Sequence, residues 1–226
     1  MAATTRQAGP YPTWTEARSG IGRRVSLPAY CGGVDSEAGS GTASLGFVVF
    51  PTRIGHCAIV WRHGGAVVGS TLPQGGADQV RGAVRRWYEG AVEAEPPAAV
   101  AAAVDRVTGL LGDGGEAEDA PTARIELDMT AVPDFDRRVY DVVRQIPPGQ
   151  TLTYGEVATR LGAPGSAQAV GQALGRNPFP PIVPCHRVLA AGGKIGGFSA
   201  RGGASAKRRM LEREGALVEE PTLFDL

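Results

Sequence analysis

Residues 153–175 constrain the fold of this chain more than any other stretch. Thr153 and Glu156 form the Thr-x-x-Glu pattern of a capping box, which predicts a helix that begins there and runs to about residue 161. The Gly-Ala-Pro-Gly sequence at 162–165 predicts a tight turn, and a second short helix follows from about residue 166 to a stop at Gly175. Two short helices joined by a glycine-containing turn indicate a helix-turn-helix.

The second of these helices carries unusually small side chains, Ala-Gln-Ala-Val-Gly-Gln-Ala at 167–173. Small side chains let a helix approach a nucleic-acid groove or backbone closely. The same composition also fits a helix that packs tightly against another helix, so the pattern alone leaves both interpretations open.

The chain before residue 132 predicts a small α/β unit. Runs of β-branched or aromatic residues predict three strands: 47–50, 58–61 and 66–69. Arg-His-Gly-Gly at 62–65 suits a hairpin connection. Apolar residues at helical spacing predict two helices: 80–87 and 97–111. Ile125, Leu127 and Met129 alternate with acidic residues, which predicts a half-buried strand.

The remaining helices and the changes in composition predict the division of the chain. Asp134 is expected to cap a helix that begins at Phe135 and ends near Pro147, and a last helix is predicted from Ser205 to Glu214 with Met210 and Leu211 inward and a basic outer face. The predicted segments are a disordered or loosely docked tail, or an over-long start of the reading frame, then an α/β domain, a second domain and a short tail: 1–45, 46–131, 132–219 and 220–226.

Cysteine usage and hydropathy limit the class of protein. Three cysteines in 226 residues argue against a disulfide scaffold and fit a reducing cytoplasm. No apolar run approaches the ~18 residues that a membrane span needs, and no secretory signal is visible. A cytoplasmic protein is therefore expected.

The net charge of zero hides an asymmetry along the chain. Residues 77–130 hold 5 basic and 11 acidic side chains, whereas residues 147–211 hold 8 basic side chains and one acidic, Glu156. A segment this basic suggests a surface that faces phosphates, and a solvated face of one sign is the alternative.

Residues 184–188, Pro-Cys-His-Arg-Val, carry the clearest chemical signal, and Gly-Arg-Asn-Pro precedes them at 175–178. A thiol attacks as its thiolate, and an unperturbed Cys has a pKa near ~8.5, so the site must lower that pKa or supply a base. His186 is the candidate base, although neighbours on an extended chain point to opposite faces. Four prolines, at 178, 180, 181 and 184, fix φ and stiffen the approach to Cys185.

These strings together resemble the active-site signature of the O6-alkylguanine-DNA alkyltransferases, the methylated-DNA–protein-cysteine methyltransferase family. The resemblance covers roughly residues 135–215, with a looser likeness over 47–129. It implies an α/β N-terminal domain with a ribonuclease-H-like sheet and a mainly α C-terminal domain with a winged helix-turn-helix. It also implies direct-reversal DNA repair, in which the alkyl group of O6-alkylguanine in double-stranded DNA moves irreversibly to Cys185, once per protein, after nucleotide flipping and without a cofactor.

The resemblance implies catalytic roles for five residues: Cys185, His186, Glu214, Tyr154 and Asn177. His186 would act as base through a bound water, and Glu214 would orient it. Tyr154 would donate to guanine N3, while Asn177 would tie the helix-turn-helix to the active-site loop. Arg187 is expected to hold that loop through backbone carbonyls.

Six residues are implied to bind DNA: Tyr154, Ala167, Gln168, Gly171, Arg176 and Ser199. The family fills the space left by the flipped nucleotide with an Arg, and Gln168 stands at that position in this chain, which keeps planar donors but loses the charge. Phe198 stands where many relatives have Tyr. Residues 199–204 form a longer loop than the common Ser-Gly-Gly, which bears on the alkyl groups that fit.

Other functions remain open at this point. A non-catalytic sensor that binds alkylated guanine and recruits repair proteins is favoured by Gln168 and disfavoured by Cys185. A Cys-His hydrolase would need an oxyanion hole that nothing in the sequence demands. Metal binding by Cys31, His56, Cys57 and His63 is not expected, because a structural zinc site wants paired ligands at short spacings.

The partners expected from the sequence are few. The last residues, Pro-Thr-Leu-Phe-Asp-Leu at 221–226, faintly resemble peptides that bind the bacterial sliding clamp through Leu223 and Phe224, and a frayed terminus is the alternative. No membrane contact is expected, and the protein is expected to be a monomer.

Overall fold

The computed structural model describes residues 45–73, 75–112, 124–198, 200 and 202–217. The N-terminal part of the chain is built on a four-stranded sheet. Its strands are β1 (Gly46–Thr52), β2 (Gly55–Trp61), β3 (Val67–Thr71) and β4 (Val92–Glu93). Their order is β3-β2-β1-β4, with β4 parallel to β1 and the other pairs antiparallel. The three predicted strands are confirmed, and β4 was not predicted because its two residues are too short to show a pattern.

Both faces of this sheet are covered, because successive residues of a strand point to opposite faces. Ala58 and Val60 pack with Val80 and Val84 of helix α1 (Ala77–Trp87). Cys57 and Ile59 face the other way, toward α2 (Ala98–Leu110) and the C-terminal part of the chain. The sheet is therefore an internal layer.

The strand predicted at 125–129 is wrong. Only one bridge forms, between Val67 and Leu127, supported by hydrogen bonds from Val67 N to Glu126 O and from Asp128 N to Val67 O. The carboxylate of Asp128 accepts hydrogen bonds from the backbone and hydroxyl of Thr130 and from Arg62, which turns the chain away from the sheet. A short polar side chain that captures its own backbone competes with ladder formation in this way.

The described residues of the C-terminal part form four α-helices: α3 (Asp134–Val143), α4 (Tyr154–Arg160), α5 (Ala167–Gly175) and α6 (Gly203–Arg213). The capping box at the start of α4 is confirmed, since Glu156 N donates to Thr153 Oγ1 at 3.2 Å and Thr153 N donates to Glu156 Oε2 at 2.6 Å. Pro133 rather than Asp134 precedes the first residue of α3. Helix α3 ends at Val143, about four residues before the predicted end near Pro147, and α1 begins at Ala77, three residues before the predicted start; the remaining helix ends lie within two residues of the predictions.

A short parallel pair connects the helix-turn-helix to the Cys185 segment. Strand β5 (Leu152–Thr153) pairs with β6 (Val188–Leu189), so the residue before Tyr154 is fixed beside the chain that follows Cys185. Tyr140 of α3 completes the frame, because its hydroxyl donates to Ala173 O at 2.9 Å and its ring meets Phe179 edge-on. Among the described residues, no helix is long and apolar enough to cross a membrane.

Candidate active site

Cys185 lies in a tight turn. Residues Cys185–Arg187 form one turn of 3-10 helix, closed by hydrogen bonds from Cys185 N to Val183 O at 2.8 Å and from Arg187 N to Pro184 O at 2.9 Å. In this turn Cys185 keeps partial exposure, whereas His186 and Arg187 are buried. The turn thus leaves Cys185 partly exposed and places both His186 and Arg187 in the interior, whereas an extended strand would point Cys185 and Arg187 to the same face.

Glu214, the residue that follows the end of α6, joins His186 to Arg187. His186 Nε2 lies 2.8 Å from Glu214 Oε1, and Arg187 donates through Nε to Oε2 and through Nη2 to Oε1, both at 2.8 Å. A third Arg187 nitrogen donates to Ile146 O at 2.6 Å. Arg187 therefore holds one backbone carbonyl and a carboxylate, a bidentate pair of the strong, charge-assisted kind.

The ionisation of this cluster follows from burial and pairing. Burial alone would raise the pKa of Glu214, but hydrogen bonds from His186 and Arg187 outweigh it and lower that pKa to about 2. Burial lowers the pKa of His186 below its usual 6.5, opposed by the Glu214 carboxylate. Because an ionised carboxylate can only accept, Nε2 of the neutral imidazole carries the proton, and Nδ1 is the nitrogen left to act as a base.

The thiol of Cys185 is held protonated in the free protein. Burial raises its pKa above the ordinary value, while the Asn177 amide, the Lys207 charge and the backbone N–H groups of Cys185 and His186 act in the opposite direction. A thiol in this state needs a base at the moment of reaction.

Lys207 is a candidate functional residue that the sequence analysis did not single out, because it was counted only among the basic side chains of residues 147–211. It is fully buried, donates to Val188 O at 2.5 Å, and its Nζ lies 5.7 Å from the Tyr154 ring centroid and 5.9 Å from that of Phe198. Burial lowers the pKa of Lys207, and the Cys185 thiolate would raise it. Its spacing of four and seven residues from Leu211 and Glu214 was the available signal, since these share one helix face.

Tyr154 stands at the start of α4, where the capping box and the β5–β6 pair fix its backbone. Burial raises the pKa of the Tyr154 phenol, and a Cys185 thiolate raises it further, so the group stays protonated and can donate. A Cβ added to Gly171 of α5 would lie 3.8 Å from the Tyr154 ring, which places the small face of that helix against the phenol.

Asn177 connects the end of α5 to the loop before Cys185. Its Nδ2 donates to Val183 O and its Oδ1 accepts from Phe179 N, both at 2.9 Å. The amide is buried and also lies close enough to the thiol to lower the pKa of Cys185. Asn177 is thereby brought together with Cys185, His186, Glu214 and Tyr154.

The residues predicted to bind DNA have different surroundings. Gln168 is exposed on α5, and Ala167 is half-buried beside it. The guanidinium of Arg176 forms a bidentate pair with Asp136 of α3, at 2.9 and 3.0 Å. Ser199 lies outside the described residues, as do Arg201, Cys31 and the tail from residue 218.

The basic excess of residues 147–211 is therefore only partly available to a ligand. Arg176 and Arg187 are paired with carboxylates, and Lys207 is buried. Arg160, Lys194, Arg208 and Arg209 are exposed. In the N-terminal part, Cys57 is buried, and in the described part of the chain no three His, Cys, Asp or Glu side chains are grouped to hold a metal ion.

Comparison with known proteins gives a consistent set of matches. Residues 134–216 match the family model of the DNA-binding domain of 6-O-methylguanine DNA methyltransferase. The chain is 42% identical over 127 residues to the methylated-DNA–protein-cysteine methyltransferase of Methanothermobacter thermautotrophicus, covering 56% of this chain and 68% of that protein. It is 43% identical over 130 residues to the Mycobacterium tuberculosis protein of the same name, covering 57% and 74%.

Solved structures extend the similarity over both parts of the chain. The crystal structure of Mycobacterium tuberculosis OGT in complex with DNA matches with a TM-score of 0.60 and 32% identity, covering 76% of this chain and 93% of that one. The O6-methylguanine-DNA methyltransferase of Pyrococcus kodakaraensis matches with a TM-score of 0.55 and 28% identity, covering 76% and 99%. The shared architecture is a small sheet with helices.

Proposed function

Because the chain belongs to the methylated-DNA–protein-cysteine methyltransferase family, we propose that it repairs DNA directly by moving the alkyl group of O6-alkylguanine onto Cys185. One observation carries the proposal: the partly buried thiol of Cys185 is followed in the same turn by a neutral, buried His186 that a carboxylate orients, with the protonated Tyr154 nearby. This is the nucleophile, base and orienting group of covalent catalysis, together with a donor for the leaving group.

The proposed reaction uses these groups and one bridging water. Nδ1 of His186 takes the thiol proton through a bridging water, and the sulfur attacks the alkyl carbon in line with its bond to O6. The S–C bond forms as the C–O6 bond breaks, and its electron pair moves into the guanine ring. Tyr154 donates to N3, where that density collects. The thioether product is not readily hydrolysed, so each protein reacts once.

DNA reaches the site through α4 and α5, which act in this proposal as a winged helix-turn-helix beside a ribonuclease-H-like sheet. The target carbon lies inside a duplex, and extruding the nucleotide costs a few kcal/mol. Gln168, Ala167 and Gly171 lie on the small-sided helix that would face the minor groove, while Ser199 would donate near O6. Arg176 would contribute through its pair with Asp136, which fixes the end of α5.

One experiment separates this function from the alternatives. The protein is incubated with an oligonucleotide that carries O6-methylguanine, and the mass of the Cys185 peptide is measured. We expect a gain of one methylene. Binding without that gain would indicate a lesion sensor. The absence of both binding and mass gain would overturn the proposal.

Replacing Gln168 by Arg should accelerate transfer about tenfold, because a charged, five-donor side chain stabilises the extruded state by on the order of 1–3 kcal/mol. The measurement is the single-turnover rate at subsaturating duplex. Gln172→Arg is the matched control, because Gln172 is also exposed on α5 and its replacement adds the same charge. Equal acceleration in both variants, or none, would exclude insertion at position 168.

The rate of transfer at saturating DNA should be nearly constant between pH 6.5 and 9.0. The pKa of His186 is lowered from 6.5 and that of the Cys185 thiol is raised from 9.0, so the neutral base and the protonated thiol coexist throughout this window. Below the His186 pKa the base is protonated and the rate falls. A rise of about tenfold per pH unit across the window, as expected of a freely ionising thiol, would contradict the assigned base.

A sliding clamp is a second proposed partner, through Leu223 and Phe224. The support is the Leu-Phe sequence near an acidic end. Deleting residues 221–226 should abolish co-purification with the clamp, and unchanged co-purification would end the idea. For the free protein we propose a monomer in the cytoplasm.

A further inference from the structure

The loop that leads to Cys185 has few means of holding its own shape. Residues 177–184 include four prolines, which carry no backbone N–H group and cannot donate hydrogen bonds. Two internal backbone donors close it from within, because Val183 N donates to Phe179 O and Phe179 N donates to Asn177 Oδ1. The carbonyls of Pro178 and Pro180 must find donors elsewhere.

Those donors come from one residue of the N-terminal sheet. Ser70 N donates to Pro178 O at 2.9 Å, and Ser70 Oγ donates to Pro180 O at 2.9 Å. Ser70 lies on β3, the edge strand of the sheet, so its backbone N–H is available on the side away from β2. It is buried, with 6% of its surface exposed, and buried carbonyls left without a donor cost free energy.

The neighbouring residue shows how closely the loop approaches the strand. A Cβ added to Gly69 would lie 1.8 Å from the hydroxyl of Tyr88 and 3.3 Å from Pro178 O. A larger residue at position 69 would displace the end of the Tyr88 side chain and press on the carbonyl of Pro178 where β3 meets the loop. Gly69 and Ser70 together form the contact surface for residues 178–180.

The contact of Gly69 and Ser70 with residues 178–180 influences the position of Cys185 through the carbonyl of Val183. Three residues beyond Pro180, the carbonyl of Val183 accepts both from Asn177 Nδ2 and from Cys185 N. The position of that carbonyl therefore sets the Cys185 turn relative to the Asn177 amide. Misplacing a reacting group by about 1 Å can cost on the order of a hundredfold in rate.

We propose that Ser70 is a positioning residue for alkyl transfer, and that the N-terminal sheet fixes the position of Cys185 through the hydroxyl of Ser70. This proposal rests on the proposed function and extends it to a residue outside the matched DNA-binding domain. Ser70 acts through the proline loop and touches no reacting atom.

Ser70→Ala removes the hydroxyl donor and retains the backbone hydrogen bond. Thr71→Val is the matched control, because Thr71 is the next residue of β3, is equally buried, and uses its hydroxyl to accept from Ala58 N within the sheet. Ser70→Thr retains a hydroxyl at the loop, and Ser70→Cys, with a weak donor of similar size, replaces Ser70→Ala if that variant does not fold.

We expect transfer from O6-methylguanine DNA to slow about tenfold in Ser70→Ala, and to stay within about twofold of the parent in Thr71→Val and Ser70→Thr. Iodoacetamide capture of Cys185, followed by the mass of its peptide, should instead become faster in Ser70→Ala alone, because a loosened loop uncovers the thiol. We expect thermal unfolding to give similar losses of stability for Ser70→Ala and Thr71→Val.

Equal slowing in Ser70→Ala and Thr71→Val would reduce Ser70 to a structural residue and overturn the proposal. Slowing in Ser70→Thr that matches Ser70→Ala, or unchanged iodoacetamide capture, would also overturn it. If the parent transfers no methyl group, the proposed function fails, whereas the iodoacetamide measurement still decides whether Ser70 holds the thiol in place.

Discussion

Replacing Glu214 by Gln should destabilise the protein by about 3–5 kcal/mol and slow alkyl transfer by at least about a hundredfold. The carboxylate is the shared partner of His186 and Arg187, and its loss leaves a buried guanidinium without a counter-charge. The amide can also donate to Nε2, which would favour the wrong tautomer of His186. Chemical denaturation and the single-turnover rate measure the two effects.

The pH dependence of stability gives an independent measure of the same residue. The pKa of Glu214 is lowered from 4.5 to about 2, so its contribution is present above about pH 4.5 and is lost as pH falls toward 2. The shift corresponds to on the order of 3 kcal/mol at neutral pH. Part of the acid sensitivity of the parent should therefore be absent from Glu214→Gln.

Glu212→Gln is the matched control for both measurements. Glu212 lies two residues away on α6, and its ion pair with Arg208, whose side chain is 50% exposed, spans 3.7 Å. Exposed pairs of this kind contribute about 0–1 kcal/mol. If the two variants lost similar stability and rate, Glu214 would have no special role.

Replacing Lys207 by Met should have opposite effects on stability and activity. Burial penalises the charged ammonium and lowers the pKa of Lys207, so an apolar side chain of similar length should leave stability unchanged or raise it. Transfer should slow by about a hundredfold, because the cation between Tyr154 and Phe198 no longer stabilises the thiolate of Cys185.

The control for Lys207 is its neighbour in sequence. Arg208→Met removes the same charge from α6 at a position that is 50% exposed, and it should change the transfer rate by less than about twofold. The iodoacetamide rate of Cys185 against pH should move to higher pH only in Lys207→Met. A Lys207→Met protein that transfers as fast as the parent would contradict the assigned role.

The sequence predicts features that depend on neighbouring residues. Thr153 and Glu156 satisfy each other three positions apart, so the start of α4 follows from local geometry alone. The periodicity of Val80 and Val84 fixes the buried face of α1 in the same way. These predictions hold because the tertiary contacts of α1 and α4 agree with the local pattern.

Features set by distant parts of the chain could not be predicted in this way. Lys207 has the composition of a surface residue and is buried because the rings of Tyr154 and Phe198 cover it. Asp128 alternates as a strand residue should, yet its carboxylate binds Thr130 and Arg62 and bends the chain.

The Cys185 site lies between these extremes. The Pro-Cys-His-Arg-Val string indicated the candidate nucleophile and the candidate base, and the resemblance supplied Glu214 as the candidate orienting group. The turn that separates Cys185 from His186 is closed by local hydrogen bonds that the sequence pattern did not reveal. The contact of Ser70 with the proline loop joins chain segments more than a hundred residues apart and left no local pattern.

The most direct measurement is the number of methyl groups that each protein chain accepts. The protein is mixed with excess duplex DNA that carries radiolabelled O6-methylguanine, and label on the protein is counted until it stops rising. We expect a plateau at one methyl group per chain, all on Cys185, and none in Cys185→Ser. Continued turnover beyond one group, or label in the Cys185→Ser protein, would contradict direct and irreversible transfer to this thiol.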